Sequence, residues 1–268
     1  MRERRYIVDT TLRDGEQSCG IAFDVNKKVK IASILDALGV YQIEAGIPAM
    51  GKAEKQAIYK IMQNRKNAKI VAWNRMNIQD IKHSFECCPD IIHICVPVSY
   101  VQIYSKLRKN KVWLVNMIVE CVSFVQAHGF EVAIGFEDAS RADITFMLSI
   151  ISTLEAMGIK SVRYADTVGV LTPARAADTV KSLMKNRNID IEIHVHNDLG
   201  MAVANSIEAA KAGAKYIDCT MFGLGERAGN CNLFHFLHAT ERLYDCGITT
   251  HQIGQVQKEI AYVIWGGV

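Results

Sequence analysis

Proline is scarce. Only Pro48, Pro89, Pro97 and Pro173 occur among 268 residues, and no Pro/Ser-rich or Gly/Ser-rich stretch interrupts the chain. A flexible linker is therefore not expected, and a single domain over residues 1–268 is, because one large core can be buried at this length. Long apolar runs are missing too. The most apolar segment, 112–125, is broken by Asn116 and Glu120, so no stretch of about 18 uncharged apolar residues exists to span a bilayer. Near the start, Tyr6-Ile7-Val8 is far too short for a signal-peptide core. Neither sign of charge dominates: 31 Lys and Arg stand against 28 Asp and Glu, a net +3 that gives no reason to expect nucleic acid. Basic clusters at 2–5 and 106–111 read as solvated surface, or for one of them as a contact to a phosphorylated ligand. The eight cysteines show no C-x-x-C spacing, which excludes the usual zinc and dithiol motifs and fits reduced thiols in a cytoplasm.

What the sequence does have is alternation. Short β-rich segments at 6–9, 40–44, 69–73, 91–96, 131–135, 161–165, 189–194 and 216–219 are separated by apolar positions at helical spacing, such as Val29, Ile31, Ile34, Leu35 and Leu38. Gly39, Gly129, Gly158 and Gly213 each stand just before a strand, where a helix needs a left-handed cap. Eight βα units in series predict an α/β fold of the closed (β/α)8 TIM-barrel type. The competing doubly wound sheet would carry G-x-G-x-x-G after its first strand, but that turn reads Asp9-Thr10-Thr11-Leu12-Arg13-Asp14-Gly15. In a barrel, chemistry belongs at the C-terminal ends of the strands.

The unusual polar residues fall there. His194 and His196 end the seventh strand segment, and residues i and i+2 of a strand point the same way, as a pair of adjacent metal ligands would. Two polar histidines at a loop mouth would read the same. After the first strand, Arg13, Asp14, Glu16 and Gln17 come together, either as acidic groups at a helix N-terminus or as a source of one carboxylate for the histidine pair. Two histidines and a carboxylate form a facial site for a divalent ion with open positions. Glu137-Asp138 and Asp166-Thr167 follow strands five and six; Asp138 or Ser140 is expected to cap the next helix. Gly223 and Gly225 open a G-x-G-x-x-x-G loop after the last strand, ending at Gly229-Asn230, where close backbone approach to a ligand is possible.

Three of these stretches, 9–17, 194–198 and 223–230, together resemble the barrel metallolyases that include 2-isopropylmalate, citramalate and homocitrate synthases. Residues 43–51 and 135–143 look most like the homocitrate synthases associated with nitrogen fixation. The resemblance implies that Asp14, His194 and His196, with Asn230 close by, hold a divalent metal (Mg2+, Mn2+ or Zn2+) that polarises the carbonyl of a 2-oxo acid. It further implies an acyltransferase in which acetyl-CoA loses a methyl proton, its enolate attacks that carbonyl, and the thioester is hydrolysed. Arg13 is the catalytic arginine by this resemblance, and Glu137 and Thr167 match residues near the reacting groups. Gln17, Arg75, His93, Gly223 and Gly225 are the expected substrate-binding residues, with 2-oxoglutarate the expected oxo acid.

The match has departures. After Asn230 the chain reads Cys231-Asn232-Leu233-Phe234-His235 where the family has a small residue and then acidic ones. Full-length members continue past the barrel into subdomains that bring a proton-abstracting histidine to a neighbouring site. A separate subunit carrying that region is therefore expected, with an oligomer, and with an apolar docking face on Ile253, Val256, Ile260 and Val263. Other activities compatible with these residues are a retro-Claisen lyase, although such enzymes carry a cysteine in the glycine loop, and a metal-binding assembly subunit without catalysis.

Overall fold

A computed structural model describes residues 2–266; Met1, Gly267 and Val268, the ends of the expected 1–268 domain, lie outside the described residues. Eight parallel strands close into a barrel. They are β1 (Tyr6–Asp9), β2 (Gln42–Gly46), β3 (Lys69–Arg75), β4 (Ile91–Pro97), β5 (Glu131–Glu137), β6 (Ser161–Asp166), β7 (Asp190–Val195) and β8 (Tyr216–Cys219). Each pairs with its neighbour in sequence, and β8 returns to β1 through Tyr216 beside Tyr6 and Cys219 beside Asp9. Closure of this kind removes both sheet edges. The strands run to their C-terminal ends further than the residue pattern predicts: β3 and β5 include Arg75 and Glu137, polar residues that the apolar pattern leaves out but that point into a cavity.

Helices α1 (Val25–Leu38), α2 (Lys52–Asn64), α3 (Ile78–Phe85), α4 (Lys111–Ala127), α5 (Ile144–Ala156), α6 (Pro173–Met184), α7 (Ala202–Lys211) and α8 (Leu233–Thr240) each bury one apolar stripe against the barrel. In α1 that stripe is Ile31, Ile34, Leu35 and Leu38, and the helix stops because Gly39 takes φ 96°, the left-handed geometry that satisfies its last carbonyls. Asp143, not Asp138 or Ser140, caps α5, accepting from Thr145 N at 2.8 Å. Asp138 is engaged elsewhere, in an ion pair with Arg141 and as acceptor from the Ser99 hydroxyl.

After α8 the chain crosses the N-terminal end of the barrel, where Tyr244–Asp245 pairs with Glu3–Arg4. Helix α9 (Thr250–Trp265) then climbs beside α1, and at its far end the Trp265 ring meets Phe222 in the turn after β8, centroids 4.9 Å apart. The expected docking face on α9 is covered: Ile253 and Ile260 are fully buried and Val256 and Val263 half-buried, because the helix packs back on its own barrel. Its exposed apolar groups are Tyr262 and Trp265. No helix among the described residues is long and apolar enough to cross a membrane. All eight cysteines are free.

Candidate metal centre and the cavity above it

Barrel interiors are usually filled by layers of branched apolar side chains. Here the upper layer is charged. Glu44 on β2, Arg163 on β6, Glu192 on β7 and Asp218 on β8 are all buried, and each interrupts a run of apolar residues in its strand. With Arg13, Asp14 and His194, the residues Glu44, Arg163 and Asp218 close a ring of alternating sign, while Glu192 hangs from Arg163 outside it, its carboxyl raised well above the usual range by burial. Arg13 Nε donates to Glu44 Oε1 at 2.5 Å, and Glu44 Oε2 lies 2.8 Å from Arg163 Nη1. Arg163 Nε reaches Glu192 Oε1 at 2.5 Å and sits 3.0 Å from Asp218 Oδ2. Asp218 Oδ2 contacts His194 Nδ1 at 2.9 Å, His194 Nε2 is 3.5 Å from Asp14 Oδ2, and Asp14 returns to Arg13 Nη1 at 2.8 Å. Buried charges persist only when compensated in this way.

On this ring stand the candidate ligands. Asp14, His194 and His196 are buried, each with one ligand atom within 4.8 Å of the others. The two imidazole Nε2 atoms face one another at 3.4 Å, and His196 Nε2 is 3.9 Å from Asp14 Oδ2. Two imidazole Nε2 atoms converging with a carboxylate suit a borderline divalent cation, which would displace the proton of His194, and Asp218 behind His194 is the carboxylate that orients a ligating histidine from the far side. Asn230 closes the fourth side. Its Nδ2 donates to Asp14 Oδ1 at 2.7 Å, while its Oδ1 is buried without a partner, a lone pair suited to a cation or its bound water. The residues present fit a divalent metal.

The electrostatics separate the two histidines. Burial opposes charge on His194, yet Asp14 and Asp218 outweigh it and lift its pKa to about 9. For His196, burial and then the charge of His194 push it down to about 4. Burial would raise the Asp14 carboxyl, but Arg13 and the imidazoles hold it well below the usual range.

Lys28 fixes the loop that carries Arg13 and Asp14. Its buried ammonium donates to Leu12 O at 3.1 Å and to Glu54 at 2.7 Å, and pairs with Glu16 at 2.7 Å.

A family model described as HMGL-like matches residues 4–260. The chain belongs to the HMGL-like family. Among relatives, homocitrate synthase subunit alpha of Clostridium pasteurianum is 50% identical over 237 residues, 88% of this chain and 88% of that protein. The 2-isopropylmalate synthase 2 of Caldanaerobacter subterraneus is 41% identical over 258 residues, 96% of this chain and 67% of that one. The crystal structure of the Bacillus subtilis HMG-CoA lyase superposes with a TM-score of 0.83 at 16% identity, covering 97% of this chain and 93% of that one, and shows the shared fold.

In this HMGL-like barrel a cavity of about 490 Å³ opens above the ring. It brings together Arg13, Asp14, Gln17, Arg75, His93, Glu137, Thr167, His194 and His196, the sequence-derived candidates that share one space. Gln17 stands exposed at its rim, and Arg75 is largely exposed and tied to Asp80 at 2.5 Å. His93 is fully buried on β4, and burial followed by the charge of Arg163 holds it neutral. It leans over Gly135, where an added Cβ would lie 2.4 Å from His93 Nε2. Glu137 accepts from Gln102 Nε2 at 2.7 Å and lies 3.6 Å from Lys106, while Thr167 Oγ1 accepts from Asp138 N at 2.9 Å. Gly223 and Gly225 do not line the cavity. A Cβ on Gly225 would come within 2.2 Å of Asn230 Nδ2 and 2.8 Å of Asp14 Oδ1, so this glycine makes room for the Asn230–Asp14 contact. Sequence reasoning passed over Glu44, Arg163, Glu192 and Asp218. The signal was an ionisable residue with an apolar neighbour on each side in each of four strands: Ile43-Glu44-Ala45, Val162-Arg163-Tyr164, Ile191-Glu192-Ile193 and Ile217-Asp218-Cys219.

Proposed function

We propose that the barrel is the catalytic domain of an acyltransferase joining acetyl-CoA to a 2-oxo acid, with 2-oxoglutarate as acceptor and homocitrate as product. The observation that carries this reading is the Asp14, His194 and His196 cluster set beside Arg13 at the floor of one cavity. Identity of 50% to a homocitrate synthase subunit supports the substrate class.

When bound by Asp14, His194 and His196, a divalent cation supplies Lewis-acid polarisation of the oxo-acid carbonyl. The other work falls to side chains. Arg13 has Nε on Glu44 and Nη1 on Asp14, so Nη2 is left to meet the oxyanion that develops as the carbon–carbon bond forms. Because Glu44 and Trp73 pin the guanidinium, the latter 5.6 Å from its carbon, little reorganisation is required when that charge appears. His93 and Arg75 face the distal end of the oxo acid, and Glu137 and Thr167 flank the reacting carbons. Removal of the acetyl proton needs a base. The family resemblance implies a histidine from outside this barrel as that base, and we assign it to a separate chain, in keeping with the name of the Clostridium relative, a subunit alpha.

Incubation with Mn2+ or Mg2+, acetyl-CoA and a panel of oxo acids, following thiol release, tests the reading. Fastest turnover is expected with 2-oxoglutarate; faster turnover with 2-oxoisovalerate or pyruvate refutes the acceptor. Dependence on a second chain is refuted if the isolated protein turns over near the enzyme median of about 10 s⁻¹.

A further inference from the structure

The glycine loop after β8 holds one charged residue that the chemistry above leaves out. Arg227 stands in the middle of Gly225-Glu226-Arg227-Ala228-Gly229, and its backbone takes φ 55°, a left-handed geometry that is unfavourable for a residue with a Cβ. The side chain that this geometry directs is fully engaged. Nε donates to Asp198 Oδ1 at 2.8 Å and Nη2 to Asp198 Oδ2 at 3.1 Å, a two-point pairing with the turn after β7. Nη2 also donates to the backbone oxygen of Thr167 at 2.7 Å, in the turn after β6, and Nη1 to Glu226 Oε2 at 3.2 Å. One guanidinium therefore joins three consecutive loops at the cavity end of the barrel. Their close approach is built in: a Cβ on Gly169 would lie 2.2 Å from Asp198 Oδ2, and Asn197 N donates to Gly229 O at 2.8 Å.

Thr167 lines the cavity and Arg227 does not. The Thr167 hydroxyl oxygen accepts from Asp138 N at 2.9 Å, which leaves its own hydrogen to donate. Two anchors thus set where that hydrogen points, Asp138 N on the hydroxyl and Arg227 on the carbonyl. Stability is not what the pairing is suited to. The Arg227 side chain is 42% exposed and that of Asp198 27%, and ion pairs as open as this contribute little to folding.

We propose that Arg227 is a positioning residue: clamped on Asp198, it holds the turn after β6 so that the Thr167 hydroxyl donates to the oxo acid. The inference rests on the oxo-acid reading above and adds to it a residue outside the cavity.

The test uses the full chain loaded with Mn2+, with Arg227→Gln, Arg227→Lys, Thr167→Val and the Arg227→Gln/Thr167→Val pair. By calorimetry, the Kd for 2-oxoglutarate should rise about tenfold in Arg227→Gln, the order expected for charge-assisted hydrogen bonds discounted for exposure. Arg227→Lys should lose less, because the ammonium keeps the charge but cannot pair at two points. Affinity for coenzyme A should not change, and the melting temperature should shift by about 2 °C or less. In the Thr167→Val background, Arg227→Gln should alter the Kd by less than about twofold, since residues that act through one contact are not additive. A full tenfold loss in that background, or an equal loss of coenzyme A affinity, overturns the proposal, because general loosening of the loops acts whether or not the hydroxyl is present. Hydrogen exchange supplies an arm that needs no substrate: amides of residues 166–171 should exchange faster in Arg227→Gln while the rest of the barrel keeps its rates. If the unmodified protein binds no oxo acid, the proposed function falls and exchange alone decides the clamp, unchanged rates at 166–171 overturning it and faster ones upholding it.

Discussion

Replacing Glu44 by Gln keeps the side-chain shape and removes the one negative charge between Arg13 and Arg163. Burial would raise this carboxyl, but Arg13 and then Arg163 outweigh it and lower its pKa from 4.5 to about 2. At about 1.4 kcal/mol per pKa unit, that depression corresponds to roughly 3 kcal/mol of folding stability. The independent figure for removing one partner of a buried ion pair, about 3 to 5 kcal/mol, agrees. The sign follows from the direction of the shift. A depressed folded pKa contributes stability that is complete above pH 4.5 and is lost as pH falls toward 2. Urea unfolding of the wild type and the Glu44→Gln variant should therefore differ by about 3 kcal/mol at pH 7 and at pH 5, and the gap should narrow by roughly 1 kcal/mol by about pH 3.5. A gap below about 1 kcal/mol at pH 7, or one that does not change with acid, would refute the view that Glu44 is an ionised bridge between the guanidiniums.

Alanine at His194 or His196 should abolish metal binding, read by elemental analysis of the dialysed protein, and leave the far-UV circular dichroism of the barrel intact; loss of fold with metal retained would contradict the ligand assignment. Arg13→Ala should retain the metal and lower turnover on the order of 10²-fold, as measured by thiol release. Gly135→Ala drives a methyl group into the His93 ring, 2.4 Å from Nε2, and should cost about 1 to 3 kcal/mol in thermal unfolding. Adding His93→Ala to that variant should recover part of the loss, and no recovery would show that the clash lies elsewhere. Asp36, in the last turn of α1, accepts from the backbone N–H groups of Lys66, Asn67 and Ala68 at 2.7, 2.9 and 2.7 Å; burial raises its pKa, but these three bonds outweigh it and leave the group below its usual value. Asp36→Asn should destabilise by about 1 to 3 kcal/mol at neutral pH, a difference that fades as pH drops below 3.8 in urea titrations.

The barrel was legible because its strands are short Val/Ile-rich runs and its helices repeat apolar residues at helical spacing, a pattern that Ile31, Ile34 and Leu35 keep in the folded protein. His194 and His196 were legible because strand geometry alone puts i and i+2 on one side. Asp138 and Ser140 misled because a good capping residue is not thereby the cap; the turn after β5 continues to Asp143 before the helix can begin. The face of α9 misled for a related reason. Periodicity marks which side of a helix will be covered and is silent about what covers it; here the cover is α1, α8 and the barrel. Each charge of the ring was visible in its own strand, but the pairing was not, because the members lie on five different segments and meet only on closure.

The route of α9 places the two ends of the described chain at opposite faces of the barrel. Glu3–Arg4 is stitched to Tyr244–Asp245 beneath the strands, whereas Ile264 accepts from Lys27 Nζ at 3.2 Å and Trp265 rests on Phe222 beside the functional loops. Tethering the protein to a surface through its first residues would leave the cavity facing solution. A bulky fusion after Trp265 would be delivered to the rim of the cavity itself, where it would compete with whatever must enter.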